Sequence, residues 1–151
     1  MLFRSDEMAS TLGGRASEEL TFGKVSTGAI SDLEKVTKQA YAMVAYFGMS
    51  EKIGNISYYD SGGQEMMFGK PYSEKTAELL DSEAKNIIDD AYDIAKKILA
   101  ENNEGLTKVA ELLLEKEVIF AEDLEQILGK RKSMARLEEL GFTNNVEEQT
   151  A

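Results

Sequence analysis

Apolar residues recur at three- and four-residue steps through most of this chain, the period of an amphipathic helix rather than of a strand. Met8, Leu12, Ala16 and Leu20 fall on one side at four-residue spacing. The phase runs through Gly13-Gly14, so one helix is expected from about Asp6 to Thr21, capped by Ser5 and ended near Gly23. Two glycines inside it would cost roughly 1 kcal/mol each against alanine. Either a close backbone approach offsets that cost or the chain breaks there into two short helices. A second stripe, Leu33, Val36, Ala40, Met43, Val44 and Phe47, starts after Ser31 and Asp32 and stops at Gly48, where a left-handed cap is expected.

The period then changes. Ile53 to Tyr59 reads as a short strand, Ser61-Gly62-Gly63-Gln64 as a turn and Met66-Met67-Phe68 as a returning strand. A two-stranded hairpin of this size must pack on helices to persist. Beyond Pro71, Ser73 is a natural cap for the longest helix. Ala77, Leu80, Ala84, Ile87, Ile88, Ala91, Ile94, Ala95 and Ile98 keep helical phase to about Asn102, roughly 42 Å of helix. Leu106, Val109, Ala110 and Leu113 predict an antiparallel partner helix. A last short helix runs from Glu122 to Leu128 and is stopped by Gly129. The stripes of the Asp32, Ser73 and Gly105 helices are expected to meet in one core.

Between the first two helices lies Val25-Ser26-Thr27-Gly28-Ala29-Ile30-Ser31-Asp32-Leu33-Glu34-Lys35. Asp32 falls in the first turn of its helix, near the positive end of the dipole. Taken alone it reads as a helix cap, since aspartate is strongly preferred there. The surrounding segments add a second reading. Leu12-Gly13-Gly14-Arg15-Ala16-Ser17-Glu18-Glu19-Leu20, Phe22-Gly23, Ser26 to Leu33, and Tyr46-Phe47-Gly48-Met49-Ser50 together resemble, in order and spacing, the peptidase domain of FtsH. That family comprises ATP-dependent, membrane-anchored zinc metalloproteases of the AAA+ class.

The resemblance runs from about Asp6 to about Lys130. It implies a mainly α fold, a helical bundle of the FtsH peptidase type with one small β-hairpin. Residues 1–130 are expected to be the C-terminal portion of a zinc metallopeptidase domain, and 131–151 a polar, poorly ordered tail. In that family the aspartate of the Ser-Thr-Gly-Ala-x-x-Asp-Leu stretch is the third protein ligand of the catalytic zinc, and Asp32 occupies its position. The family's His-Glu-x-x-His helix, source of two ligands and the general base, lies upstream of these motifs and does not occur in this sequence. Family members also commonly place a capping aspartate where this chain has Phe120, which implies a looser start to the last helix.

Composition narrows the chemistry. The 151 residues suffice for one domain with a real core, and are too few for an ATPase module plus a protease. A hydrophobic fraction of 42% argues against disorder throughout. The net charge of −11 argues against nucleic acid or an anionic membrane surface as partner. The most apolar run, Tyr41 to Met49, is too short to span a bilayer, and Arg4, Asp6 and Glu7 interrupt any secretory signal. With no cysteine there is no disulfide or thiol chemistry. The absence of histidine is the most restrictive fact, because neither a His-Glu-x-x-His zinc site nor a Ser-His-Asp or Cys-His site can be assembled from this chain alone.

No catalytic residue and no cofactor-binding residue is therefore expected here, and the one expected metal ligand is Asp32. Glu18 could orient a ligand near the zinc; the alternative is that Glu18 and Glu19 form a solvated face with Arg15 one turn away. By helix phase the two carboxylates cannot point the same way. Ser26 and Thr27 could hydrogen-bond near the cleft or simply make the turn.

Two functional readings follow. In one, the chain is the C-terminal part of an ATP-dependent zinc metalloendopeptidase that degrades unfolded and membrane proteins. It would supply Asp32 and a ring scaffold and be inactive in isolation. In the other it is a non-catalytic helical oligomerisation or interaction module. The resemblance implies zinc only in the intact domain, and ATP only in an ATPase domain outside this sequence. Its implied partners are the upstream peptidase segment, that ATPase domain, protein substrates and further copies of itself, a hexamer in the parent. The parent would be membrane-anchored with this domain on the cytoplasmic face, or the matrix or stroma equivalent.

Overall fold

The computed structural model describes residues 2–58 and 72–130. The fold is mainly α. Six α-helices follow in order: α1 (Leu2–Thr11), α2 (Gly13–Phe22), α3 (Ile30–Tyr41), α4 (Glu74–Glu101), α5 (Asn103–Lys116) and α6 (Ala121–Leu128). A π-helical turn, Ala42–Tyr46, extends α3. The chain forms two compact units that divide after Glu101.

In the first unit α4 is the spine, 28 residues long, against which α1, α2, α3 and the π-turn all pack. It starts as the sequence predicts. Ser73 Oγ accepts the Thr76 N–H at 3.3 Å and the Ser73 carbonyl accepts the Ala77 N–H at 2.9 Å. Its stripe of Ala77, Leu80, Ala84, Ala91 and Ala95 is buried. The main core joins Leu80, Ala84 and Ala91 to Met8 and Leu12 from the first stripe, to Val36, Ala40, Met43 and Val44 from the second, and to Ala45 beside them, while Ala95 packs with Ala9 and Ala16 in a smaller cluster. Small side chains on α4 let neighbouring helices approach closely, and Met8, Leu12, Met43 and Leu80 fill the space between them.

Two expectations change among the helices of this unit. The single helix over 6–21 is two helices, starting before Ser5 and meeting at Leu12. There ψ opens to −4° and places the glycines at the first two positions of α2. Nothing stands within 4 Å of where a Cβ would sit on either glycine. Amide bonds from Leu12 to Met8 and from Ala16 to Leu12 carry the phase across the junction, so Met8, Leu12 and Ala16 still face inward. The second departure is Phe47, expected on the apolar stripe and in fact 56% exposed. The wider π-turn, closed by Phe47 N–H to the Ala42 carbonyl at 3.0 Å, buries Met43, Val44 and Ala45 consecutively and rotates Phe47 out of phase.

Gly48 then ends the helical run at φ 59°, as expected, with the Gly54 carbonyl 3.0 Å from where a Cβ would sit. The expected hairpin is not formed among the described residues. Residues 53–58 are a turn and irregular chain, because Tyr58 N–H bonds the Ala45 carbonyl at 2.7 Å and ties the segment to the helical layer. The expected turn and returning strand, and the expected tail over 131–151, lie outside the described residues.

The second unit, described over 102–130, contains no buried residue in α5 or α6. Among the described residues, every side chain of the two buried clusters belongs to the first unit. Inside this unit α5 and α6 approach closely at Gly105, where an added Cβ would meet Leu128 Cδ2 at 2.5 Å. Phe120 cannot cap α6 with its side chain. Asp123 instead accepts the Phe120 N–H at 3.0 Å and pairs with Lys116 Nζ at 2.7 Å, so the helix start is held from three residues inside.

Candidate metal-ligand corner

The corner around Asp32 is built from the end of α2, the loop over 23–29 and the start of α3. Gly23 turns the chain out of α2 in the left-handed conformation, φ 65°, and its N–H closes on the Glu19 carbonyl. The loop that follows is solvent-exposed from Lys24 to Gly28 and re-enters the protein at Ala29, which is buried. Ala29 precedes the first residue of α3, so Ser31 and Asp32 are the second and third residues of that helix. Alanine offers no side-chain cap, and no side-chain cap bond is made at this terminus. Asp32 is half-buried. Its carboxylate has no hydrogen-bond or ion-pair partner among the described residues.

Glu18 and Glu19 diverge as helix phase requires. Glu18 turns to the loop, where Ser26 Oγ donates to Oε1 at 2.7 Å and Ser26 N–H to Oε2 at 3.1 Å. Ser26 Oγ in turn accepts the Gly28 N–H at 3.2 Å. The Ser26 hydroxyl and amide bonds, with a smaller contribution from the Arg15 charge, hold the Glu18 carboxyl below its usual range. Glu19 faces α4 and accepts the Tyr92 hydroxyl, while Lys96 Nζ lies 4.8 Å from the Tyr92 ring centre. Partial desolvation, helped by the Glu19 bond, pushes the Tyr92 hydroxyl up to about 12. Glu19 is thus a helix-to-helix tie, and Thr27 is an exposed turn residue.

Among the described residues no group of three or more His, Cys, Asp or Glu side chains is placed to hold a metal ion. A stable zinc site uses three or four donors including nitrogen or sulfur. The donor set present, one free carboxylate at a helix start, therefore fits one corner of such a site and not a whole one. Among the described residues no helix is long and apolar enough to cross a membrane.

This combination of an all-helical unit and a carboxylate in the first turn of α3 without a partner among the described residues coincides with a sequence match. The profile of Peptidase family M41 matches residues 4–127, and the chain belongs to that family. It is 61% identical over 135 residues to an ATP-dependent zinc metalloprotease FtsH of Parabacteroides distasonis, covering 89% of this chain and 20% of the relative. It is 49% identical to an enzyme of the same name from Rhodothermus marinus, covering 83% and 18%. It is also 49% identical to a mitochondrial inner membrane m-AAA protease component of Mus musculus, covering 83% and 16%. The chain spans about a fifth or less of the length of these curated relatives. The FtsH-type resemblance read from the motifs is thereby borne out.

Proposed function

We propose that this chain is the C-terminal part of the peptidase domain of an ATP-dependent zinc metalloendopeptidase, with Asp32 as its contribution to the metal. The observation that carries the proposal is the Asp32 carboxylate. It sits at the motif position of the family, in the first helical turn, unused by any cap or ion pair among the described residues. A pure cap would spend that carboxylate on backbone amides.

Zinc, when held by three protein ligands, supplies an acidified water for attack on a peptide carbonyl. This chain's residues do the positioning: α3 presents Asp32, and α3 itself packs on α4 and α1. The remaining ligands and the base are assigned to an upstream His-Glu-x-x-His helix of the same protein. Nucleotide hydrolysis is assigned to an ATPase domain, and the substrates to unfolded and membrane proteins. The parent is read as membrane-anchored, with this domain on the cytoplasmic, matrix or stromal side, and as a hexameric ring. The chain alone is expected to bind zinc weakly, to lack peptidase activity and to keep its fold under chelation.

The reading of the chain as an interaction module draws on one observation of its own. In residues 102–130, Leu114, Val118, Phe120 and Leu128 are 55–85% exposed, a surface that favours partners. The two readings are compatible.

The test uses a longer protein that includes the histidine helix. There Asp32→Asn is expected to abolish most zinc binding and activity at little cost to folding, since asparagine is tolerated at a helix start about as well as aspartate. Full proteolysis with zinc bound at stoichiometry in that variant overturns the assignment.

A further inference from the structure

We infer that the cleft between α1 and the C-terminal half of α4 is a docking groove for a basic amphipathic helix. The inference stands apart from the reading of Asp32 as a metal ligand. The cleft holds about 320 Å³, the small end of the range for binding sites. It exists because the packing here uses small side chains. Ala9 and Ala95, which line it, belong to a buried cluster whose third member is Ala16, whereas the main core is filled by Met8, Leu12 and Leu80. Gly13 bares the lining further, with nothing within 4 Å of where a Cβ would sit. From α4 the cleft is lined by Ile94 and Ile98, both exposed.

The walls select a helix. One presents Asp6, Ser10 and Gly13 and the other Ile94 and Ile98, at three- and four-residue spacing, so the ridges of a further helix fit the space between them. A strand laid here would find no backbone partner, because helical walls have already paired their own amides and carbonyls. Charge then selects the chemistry. Asp6 is exposed and has no hydrogen bond or ion pair among the described residues, and no lysine or arginine lines the cleft. Its neighbour Glu7, by contrast, is held by Lys35 at 3.3 Å. A lysine or arginine beside the apolar face of the incoming helix would meet Asp6. A second copy of this chain is mismatched to that need. Its exposed Leu114 and Val118 are flanked by Glu111, Glu115 and Glu117, and each copy carries a net charge of −11.

The probe is a fluorescent peptide of about four helical turns, leucine on one face and lysine on the other, titrated with this chain and read by anisotropy. Gly13→Leu fills the cleft while leaving every charge in place, and is expected to weaken binding about tenfold or more. Asp6→Asn is expected to weaken it about two- to fivefold, a difference that fades at high salt. A peptide with glutamate in place of lysine should bind far more weakly. Equal binding by the parent chain and Gly13→Leu would reduce the effect to general attraction by an acidic surface and overturns the proposal. Should Gly13→Leu fail to fold, Ile94→Gln decides alone: weaker binding supports the groove, and unchanged binding overturns it. Light scattering covers the second copy, since self-association of this chain that Gly13→Leu abolishes would assign the cleft to that copy and overturn the basic partner. In the longer protein with the histidine helix the peptide is expected to bind as before. Binding lost there means that the parent's own upstream segment fills the cleft, which also overturns the proposal.

Discussion

Every buried side chain among the described residues lies between Met8 and Ala95, while residues 102–130 have none and leave Leu114 85% and Phe120 66% exposed. Both units are helical and both carry regular apolar stripes. The first spends its stripes on one another around α4. The second is held by local devices: the Asp123 start of α6, the left-handed turn at Glu117 and the Gly105 approach to Leu128. Helical period alone therefore says that a face is apolar, not that the same chain covers it.

The difference is sharpest under truncation. Leu80 is 2% exposed at the centre of the main core, so Leu80→Ala is expected to cost about 2–5 kcal/mol in urea unfolding. Leu114→Ala removes the same atoms from a side chain already in water, and is expected to stay within about 0.5 kcal/mol. Equal costs at the two sites would break the comparison.

A smaller effect is expected at the rim of the first unit. Ser50, 7% exposed, donates to Glu83 at 2.7 Å, and Lys52 pairs with the other Glu83 oxygen at 2.7 Å. Glu83→Ala strands a buried hydroxyl and is expected to cost about 1–3 kcal/mol. The Lys52 and Ser50 bonds hold the Glu83 carboxyl below its ordinary value of 4.5. A depressed folded-state pKa means the stabilisation is fully present above the unfolded value and is lost as pH falls through the folded one. Glu83→Gln should therefore show a shallower acid-side loss of stability than the parent. An unchanged acid limb would assign that loss to other carboxylates.

Much of this was readable beforehand. The α4 stripe, apart from Ile94 and Ile98, which are exposed, and its Ser73 cap follow from period and cap chemistry, and the stops at Gly23, Gly48 and Gly129 all carry positive φ. The π-turn was not readable, because Met43-Val44-Ala45 is apolar at every position and fits several periods at once. The break at Leu12 turned on how two glycines would be used, which period cannot decide. In the candidate site, the place of Asp32 in its helix was legible to within one or two residues. The Glu18 grip on Ser26 was not, since it depends on how far the Gly23 turn folds the loop back over α2.

The smallest effect probes the second unit where its backbone departs from what its residue prefers. Glu117 closes α5 at φ 63°, the left-handed region, with its N–H on the Leu113 carbonyl. A residue with a Cβ pays roughly 1–2 kcal/mol there, and glycine avoids that cost while giving back part of it as chain entropy. Glu117→Gly is thus expected to stabilise α5 by about 0.5–1 kcal/mol, read as slower amide exchange over Leu113 to Glu117. The same substitution at Glu78, an exposed position inside α4, should destabilise by about 1 kcal/mol, since there glycine only adds disorder to an α-helical position. Opposite signs at the two sites would place the stability of residues 102–130 in backbone geometry. A loss at Glu117 would instead mean that its side chain holds something that the helix-end geometry does not require.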